Sequence, residues 1–429
     1  MTLGRAFVIG AVGAVVVLCI LAAWVAWLNV RGEDDVRTTA AATTGGAVDA
    51  ALVALGSALI RAGDCQGCHT ERGGQPFAGG RAIATPFGNV VSPNLTPDAR
   101  TGLGTWSADD FWRALHHGRS KDGRLLYPAF PYPNYTRVSR ADADAMFATL
   151  RSLAPIAKPN RPHTLAFPFD TQAALAVWRA LFFRAATHVD DPARTPGWNR
   201  GAYLVEGLGH CNACHSARNA FGATAGPLDL QGGLIPVQNW YAPSLASAHE
   251  AGVASWPTAE VVHLLKTGVA ERGFVMGPMS EVVGNGTQYL SGTDLAAMAE
   301  YLQALPAPPE PAPQTARATP SERGAALYGD HCVACHGERG EGVPGAYPAL
   351  AGSRAVTMHS TANLVHVVLE GGFPPSTAGN PRPFGMPPFA IVLSDADVAE
   401  LLSFVRSSWG NQAPPVSAFD VSRARNGNR

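Results

Sequence analysis

The chain is predicted to be mainly α-helical, with three small units in tandem behind one N-terminal transmembrane helix. Three observations carry this. The pentapeptide C-x-x-C-H occurs three times, as Cys65-Gln-Gly-Cys68-His69, Cys211-Asn-Ala-Cys214-His215 and Cys332-Val-Ala-Cys335-His336. Around each copy the same order recurs: apolar helix, motif, Gly/Pro-rich stretch, second helix, last helix. Ahead of all three lies an uncharged apolar run from Phe7 to Leu28.

At 22 residues and 1.5 Å per residue, that run spans about 33 Å, enough for a hydrocarbon core of ~30 Å. It exceeds the ~7–15 residues of a signal-peptide core and lacks a small-x-small cleavage site, so an uncleaved anchor is expected. Trp24 and Trp27 sit near its outer end, as an aromatic belt does. Arg5 precedes the run and Glu33, Asp34 and Asp35 follow it, beside Arg31 and Arg37; the balance favours an internal N-terminus. Cys19, the seventh cysteine, falls inside the span and reads as a membrane residue; Leu18 before it is too large for a lipoprotein signal.

The division that follows is residues 1–30 as anchor, 31–47 as a polar tether and 48–155 as the first unit. Residues 156–197 make an aromatic helical linker, 198–305 the second unit and 306–320 a Pro-rich linker. Residues 321–411 form the third unit and 412–429 a mobile tail. The first helices are expected at Val48–Arg61, Gly201–Leu208 and Ser321–Tyr328. The middle helices end at Gly118, Gly268 and Gly371. The last helices share a cap, at Ser139-Arg-Ala-Asp142, Ser291-Gly-Thr-Asp294 and Ser394-Asp-Ala-Asp397, with apolar residues at helical spacing behind it. They should pack on the first helix of their own unit. In the linker, Phe167, Phe169, Leu175, Val177, Trp178, Leu181, Phe182 and Phe183 read first as a helix packed on its own units. The alternative is a surface for a partner or the membrane.

C-x-x-C-H is the attachment motif for c-type haem. Two thiols three positions apart reach the two vinyl groups of one porphyrin, and the adjacent imidazole sits under the iron. Cys65, Cys68, Cys211, Cys214, Cys332 and Cys335 are thus expected to hold three covalent haems, with His69, His215 and His336 as proximal ligands. A zinc cage needs two C-x-x-C pairs close together, and these pairs lie far apart. A thioether on the open face raises the potential, and the loop before the last helix offers Met279 in unit two and Met386 in unit three. Unit one has Phe130 in that slot, and phenylalanine cannot ligate iron. Its haem is therefore five-coordinate, or takes His116 or His117, or Met146 reaching back from the last helix. Met276 is a rival to Met279; Met298, Met146 and Met358 read as packing. His116 and His117 otherwise complement a helix C-terminus. Covalent haem places the units outside the bacterial cytoplasm, so the expected location is the inner membrane with haem units in the periplasm.

These small units, each with an N-terminal helix, a haem motif and a C-terminal helix, have the cytochrome c fold. The chain resembles the three-haem cytochrome c subunits of bacterial membrane-bound dehydrogenases, of alcohol, aldehyde and gluconate type or of molybdenum-hydroxylase type. The resemblance rests on Gly73-Gly74-Gln-Pro76-Phe77-Ala-Gly79-Gly80, Thr85-Pro86-Phe87-Gly88, Ser92-Pro-Asn94-Leu-Thr96-Pro97-Asp98, Gly277-Pro278-Met279 with Glu281-Val282-Val283, and Arg406-Ser-Ser-Trp409-Gly410-Asn411. It implies an electron-transfer subunit rather than an enzyme. A dehydrogenase catalytic subunit would be the donor and quinone or a terminal oxidase the acceptor. Phe130 looks more like the cytochromes paired with molybdenum enzymes, since those serving quinoprotein alcohol dehydrogenases usually carry Met there. The alternative is a haem enzyme with peroxidase-like activity at an open first haem. A net charge of −1 argues against nucleic-acid binding. No nucleotide fingerprint, P-loop or zinc-protease motif is present.

Overall fold

The computed structural model describes residues 2–33, 49–226, 229–309 and 317–427. Most of the tether expected over 31–47 lies outside them, with Asp34, Asp35 and Arg37; so do Pro311 and Pro313 of the Pro-rich linker, and Arg429. Helix α1 (Thr2–Val30) contains Phe7–Val30, the one helix among the described residues long and apolar enough to cross a membrane.

Three sets of helices follow, each holding one C-x-x-C-H motif and closing on a Ser-capped helix. The first set is α2 (Ala50–Ala62), a motif turn α3 (Cys65–Cys68), α4 (Ala108–His117), a short α5 (Tyr132–Tyr135) and α6 (Arg140–Ser152). Helix α7 (Gln172–Phe182) follows. The second set is α8 (Pro196–Ala202), continued to Leu208 by a π-helical turn, then α9 (Thr258–Thr267), α10 (Pro278–Asn285) and α11 (Gly292–Gln303). The third is α12 (Glu322–His331), the motif turn α13 (Val333–His336), α14 (Arg354–Thr357), α15 (Ala362–Glu370) and α16 (Asp395–Ser407). The three Ser caps stand where expected: Ser139, Ser291 and Ser394 each accept from the N–H of an Asp three residues on.

In each set the first helix crosses the last at a glycine. A Cβ on Gly56 would lie 1.9 Å from the Ala145 carbonyl oxygen. One on Gly201 would lie 2.0 Å from that of Ala297, and one on Gly324 2.6 Å from that of Glu400. Each carbonyl belongs to the sixth residue after its Ser cap. The helices touch backbone to backbone there, and only glycine permits it.

Small antiparallel strands, not expected from the sequence, brace the loops. β1 (Ala82–Thr85) pairs with β2 (Gly88–Val91), and β2 with Thr164–Leu165 of the first joint.

The segment 156–197 joins two sets that pack on one another. Leu59, Val138 and Met146 of the first set share one apolar core with Leu204, Leu208 and Leu295 of the second, while the third set has a core of its own. The tail expected to be mobile folds instead into helix α17 (Ala418–Gly427). Ser417 caps it by accepting from Asp420 N–H, Val421 is fully buried, and Arg425 bridges to Asp395 at 2.6 Å. Its Ser417-x-x-Asp420 start is the same cap that opens the other last helices.

Candidate haem sites

Each C-x-x-C-H closes one helical turn. The His N–H donates to the carbonyl of the first Cys at 2.9 Å in all three: His69 to Cys65, His215 to Cys211, His336 to Cys332. This bond places both thiols and the imidazole on one turn.

Each imidazole is then held by a prolyl carbonyl. Nδ1 of His69 lies 2.9 Å from Pro93 O, that of His215 2.7 Å from Pro243 O, and that of His336 3.0 Å from Pro348 O. The carbonyl only accepts, so Nδ1 carries the proton and Nε2 keeps its lone pair, the form an iron ligand needs. Burial lowers all three imidazole pKa values and so favours the neutral ring; the prolyl bond partly opposes it.

A glycine supports each pair. Gly79, Gly232 and Gly342 donate to the carbonyls of His69, His215 and His336 at 2.8, 2.9 and 2.8 Å. All three have positive φ, and a Cβ would strike the proline loop within 2.7 Å. These prolines and glycines were missed as a set by sequence reasoning. Their signal was present as Pro93-Asn94-Leu95, Pro243-Ser244-Leu245 and Pro348-Ala349-Leu350, one after each motif. The separations from His to Pro, 24, 28 and 12 residues, are too unequal to align by eye. The Asn94 side chain locks the first of these loops by donating to Ile156 O and Thr101 Oγ1 and accepting from Thr96 N–H. The Arg406 stretch braces the third set: Arg406 is buried and donates to Pro414 O, Val356 O and Met358 O.

The candidate distal residues sit in unlike settings. Met386 lies in an extended loop whose N–H and carbonyl pair with Gly372. Met279 lies in the first turn of α10 rather than in an open loop. The tip of Met276 is directed at Gly372 of the third set. Phe130 stands just before α5, its ring 5.3 Å from that of Tyr135, whose hydroxyl donates to Gly63 O beside the first motif. Met146 and Met298 are core residues and Met358 is buried. His116 stacks on Trp112, with Nδ1 3.4 Å from Thr136 Oγ1. His117 is buried, with Nε2 unpartnered, and lines a cavity of about 30 Å³ with Leu28, Asn29 and Arg179. Burial first, then His116 and the nearby arginines, lowers His117 to about 3. Burial lowers His116 as well, opposed by its contact with Thr136.

The cytochrome c family model matches residues 321–409. With the turn, thiol pair and pinned imidazole found there, this defines an electron-transfer protein of the cytochrome c class, carrying covalent haem c. The chain belongs to the family of cytochrome c subunits of dehydrogenase complexes. It is 38% identical to the cytochrome c subunit of the quinone-dependent alcohol dehydrogenase of Gluconobacter oxydans, over 88% of this chain and 83% of that one. It is 38% identical to the gluconate 2-dehydrogenase cytochrome c subunit of Pantoea cypripedii, over 87% and 90%. It is 39% identical to a nicotinate dehydrogenase subunit of Pseudomonas putida, over 86% of this chain but 31% of that protein.

Proposed function

We propose that this protein is a membrane-anchored cytochrome of three tandem cytochrome c-like units. It relays electrons from a dehydrogenase catalytic subunit, of molybdenum-hydroxylase or quinoprotein type, to quinone or a terminal oxidase. Bound haem c supplies a one-electron iron couple at each site. The threefold recurrence of a half-buried imidazole, held through Nδ1 by a prolyl carbonyl, carries the reading. Six cysteines fix three haems covalently, and His69, His215 and His336 present Nε2 to iron. Met279 and Met386 are the sixth ligands of the second and third, where a thioether favours the ferrous state. The first site, with Phe130 in place of a Met, has no thioether ligand. His116 or His117 is its candidate nitrogen donor, and otherwise it stays open. The relatives' names lend no support to the peroxidase-like alternative.

The anchor reading rests on length, hydropathy and contacts. Asn29 is buried at the end of α1, donating to Ala176 O and accepting from Arg179, and Glu33 bridges to Arg119 at 2.8 Å. These bonds favour a retained helix over a cleaved signal, with the haem units in the periplasm and α1 in the inner membrane.

The test is the mass and spectrum of the matured protein. Three haem masses added to the chain are expected, with haem staining that survives denaturation; two or fewer would refute the count. Met279→Ala and Met386→Ala should each remove part of the thioether–iron charge-transfer band and lower one potential. In the native protein that band should account for two haems and not three.

A further inference from the structure

Helix α7 shows water a face that a soluble helix does not. Ala173, Val177 and Leu181, spaced by four, form one stripe. Val177 is 47% and Leu181 58% exposed. An ordinary surface helix carries charged residues outward. The one charged residue of α7, Arg179, points inward, 4% exposed, and donates to Asn29 Oδ1 at 2.9 Å. The apolar surface runs on beyond the helix. Trp178 donates to Phe221 O at 2.9 Å, and the Phe182 and Phe221 rings, both exposed, lie 6.0 Å apart.

The neighbour of this face identifies what covers it. Asn29, at the outer end of the apolar span, donates to Ala176 O, the carbonyl just before Val177. The middle of the stripe therefore passes the outer end of the apolar span, in whose last turns Trp24 and Trp27 are exposed. Exposed Arg31 and Arg184 line one small cavity with Asn29 and Arg179 beside it, cations placed to meet lipid phosphates. Arg184 also donates to Ala180 O and Phe183 O at the end of the helix.

We infer that α7, with Phe182 and Phe221, seats in the lipid interface of the outer leaflet, as a second membrane contact beside the transmembrane helix. The inference rests on the anchor reading above. Its consequence is orientation. Arg179 donates to Gly118 O at the end of α4, so the seat holds the first haem unit against the membrane surface.

The test uses full-length, haem-loaded protein with Cys19→Ser, reconstituted in phosphatidylethanolamine/phosphatidylglycerol nanodiscs. Single nitroxide labels are placed through V177C, L181C, V16C in the span and E338C on the third unit. Collision with lipid-soluble oxygen is compared with collision with a water-soluble nickel chelate. Labels at 177 and 181 should favour oxygen, as at 16, while 338 favours nickel. Nickel access at 177 and 181 with lipid access at 16 would overturn the seat and leave the anchor standing. Low access to both reagents at 177 and 181 would also overturn it, because a second copy or a partner subunit would then cover the face. Nickel access at 16 would remove the anchor and the seat together.

Discussion

The two joints between the three helical sets are built on opposite principles. At the first, the second unit's opening helix is driven into the first unit: Leu204, Val205 and Leu208 are buried in the core that holds Leu59 and Met146. Polar groups are buried with them. Glu206 pairs with Arg137 at 3.2 Å and accepts from Tyr301 O–H at 2.6 Å, while Asn134 donates to Glu206 O. At the second joint the described residues share no buried apolar cluster, although Met276 reaches Gly372 and Pro375 lies against Gly268. Asn363 exchanges two bonds with the Tyr241 backbone, Trp240 stacks on His366 at 5.1 Å, and Arg354 donates to Ala248 O and Gly252 O. Shared apolar burial makes two units one cooperative body, whereas a few specific polar bonds let the third dock as a separate one. The lesson is that a long linker does not imply a loose joint. The short Pro-rich linker joins the more independent pair.

The comparison breaks most readily at Leu208. Leu208→Ala should cost about 2–5 kcal/mol and lower the unfolding transition of residues 49–305 as a whole, with 317–427 unchanged. Calorimetry with hydrogen exchange reads this. Protection lost in the second unit alone would show that the first joint is not cooperative.

Glu206→Gln keeps an acceptor for Tyr301 but removes the charge facing Arg137. A loss of roughly 1.5–3 kcal/mol is expected, again felt in both units, by denaturant titration.

Asp64 gives the first joint a pH dependence. Burial raises its carboxyl to about 7, with the Gly67 N–H bond opposing and Glu281 adding to the rise. Its folded pKa lies above the unfolded value of ~3.9, so the folded state holds the proton longer. Its contribution to stability is fully present below pH ~4 and is lost as pH rises to about 7. Asp64→Asn, which retains the cap to Gly67, should raise the thermal midpoint at pH 8 and leave it nearly unchanged at pH 4. Equal shifts at both pH values would contradict this.

At the second joint Asn363→Ala should have the smallest effect on folding. Loss of two hydrogen bonds, about 1–2 kcal/mol, should loosen docking of the third unit. Faster proteolysis within 306–320, at unchanged unit melting temperatures, would show it. A lowered melting temperature of the third unit would mean that docking is part of its fold.

Much of the candidate site was legible because its signals are local. C-x-x-C-H needs only neighbouring side chains, the Ser caps need three residues of spacing, and a candidate membrane span needs only length and hydropathy. The resemblance to dehydrogenase cytochromes, carried by short motifs, is matched by relatives that align over most of the chain. By itself the sequence determined the helical units, their order and the candidate cysteines and histidines. Only the tertiary structure decided the rest. Pro93, Pro243 and Pro348 meet their histidines across loops of unequal length, so no periodicity marks them. Gly56, Gly201 and Gly324 matter because another helix's carbonyl lies where a Cβ would be. Leu204 and Leu208 read as apolar residues of their own unit, and nothing local says which core receives them. Val421 and Arg425 made no pattern until α15 and α16 supplied a surface. An apolar residue determines that it will be buried; what it is buried against is a property of the whole chain.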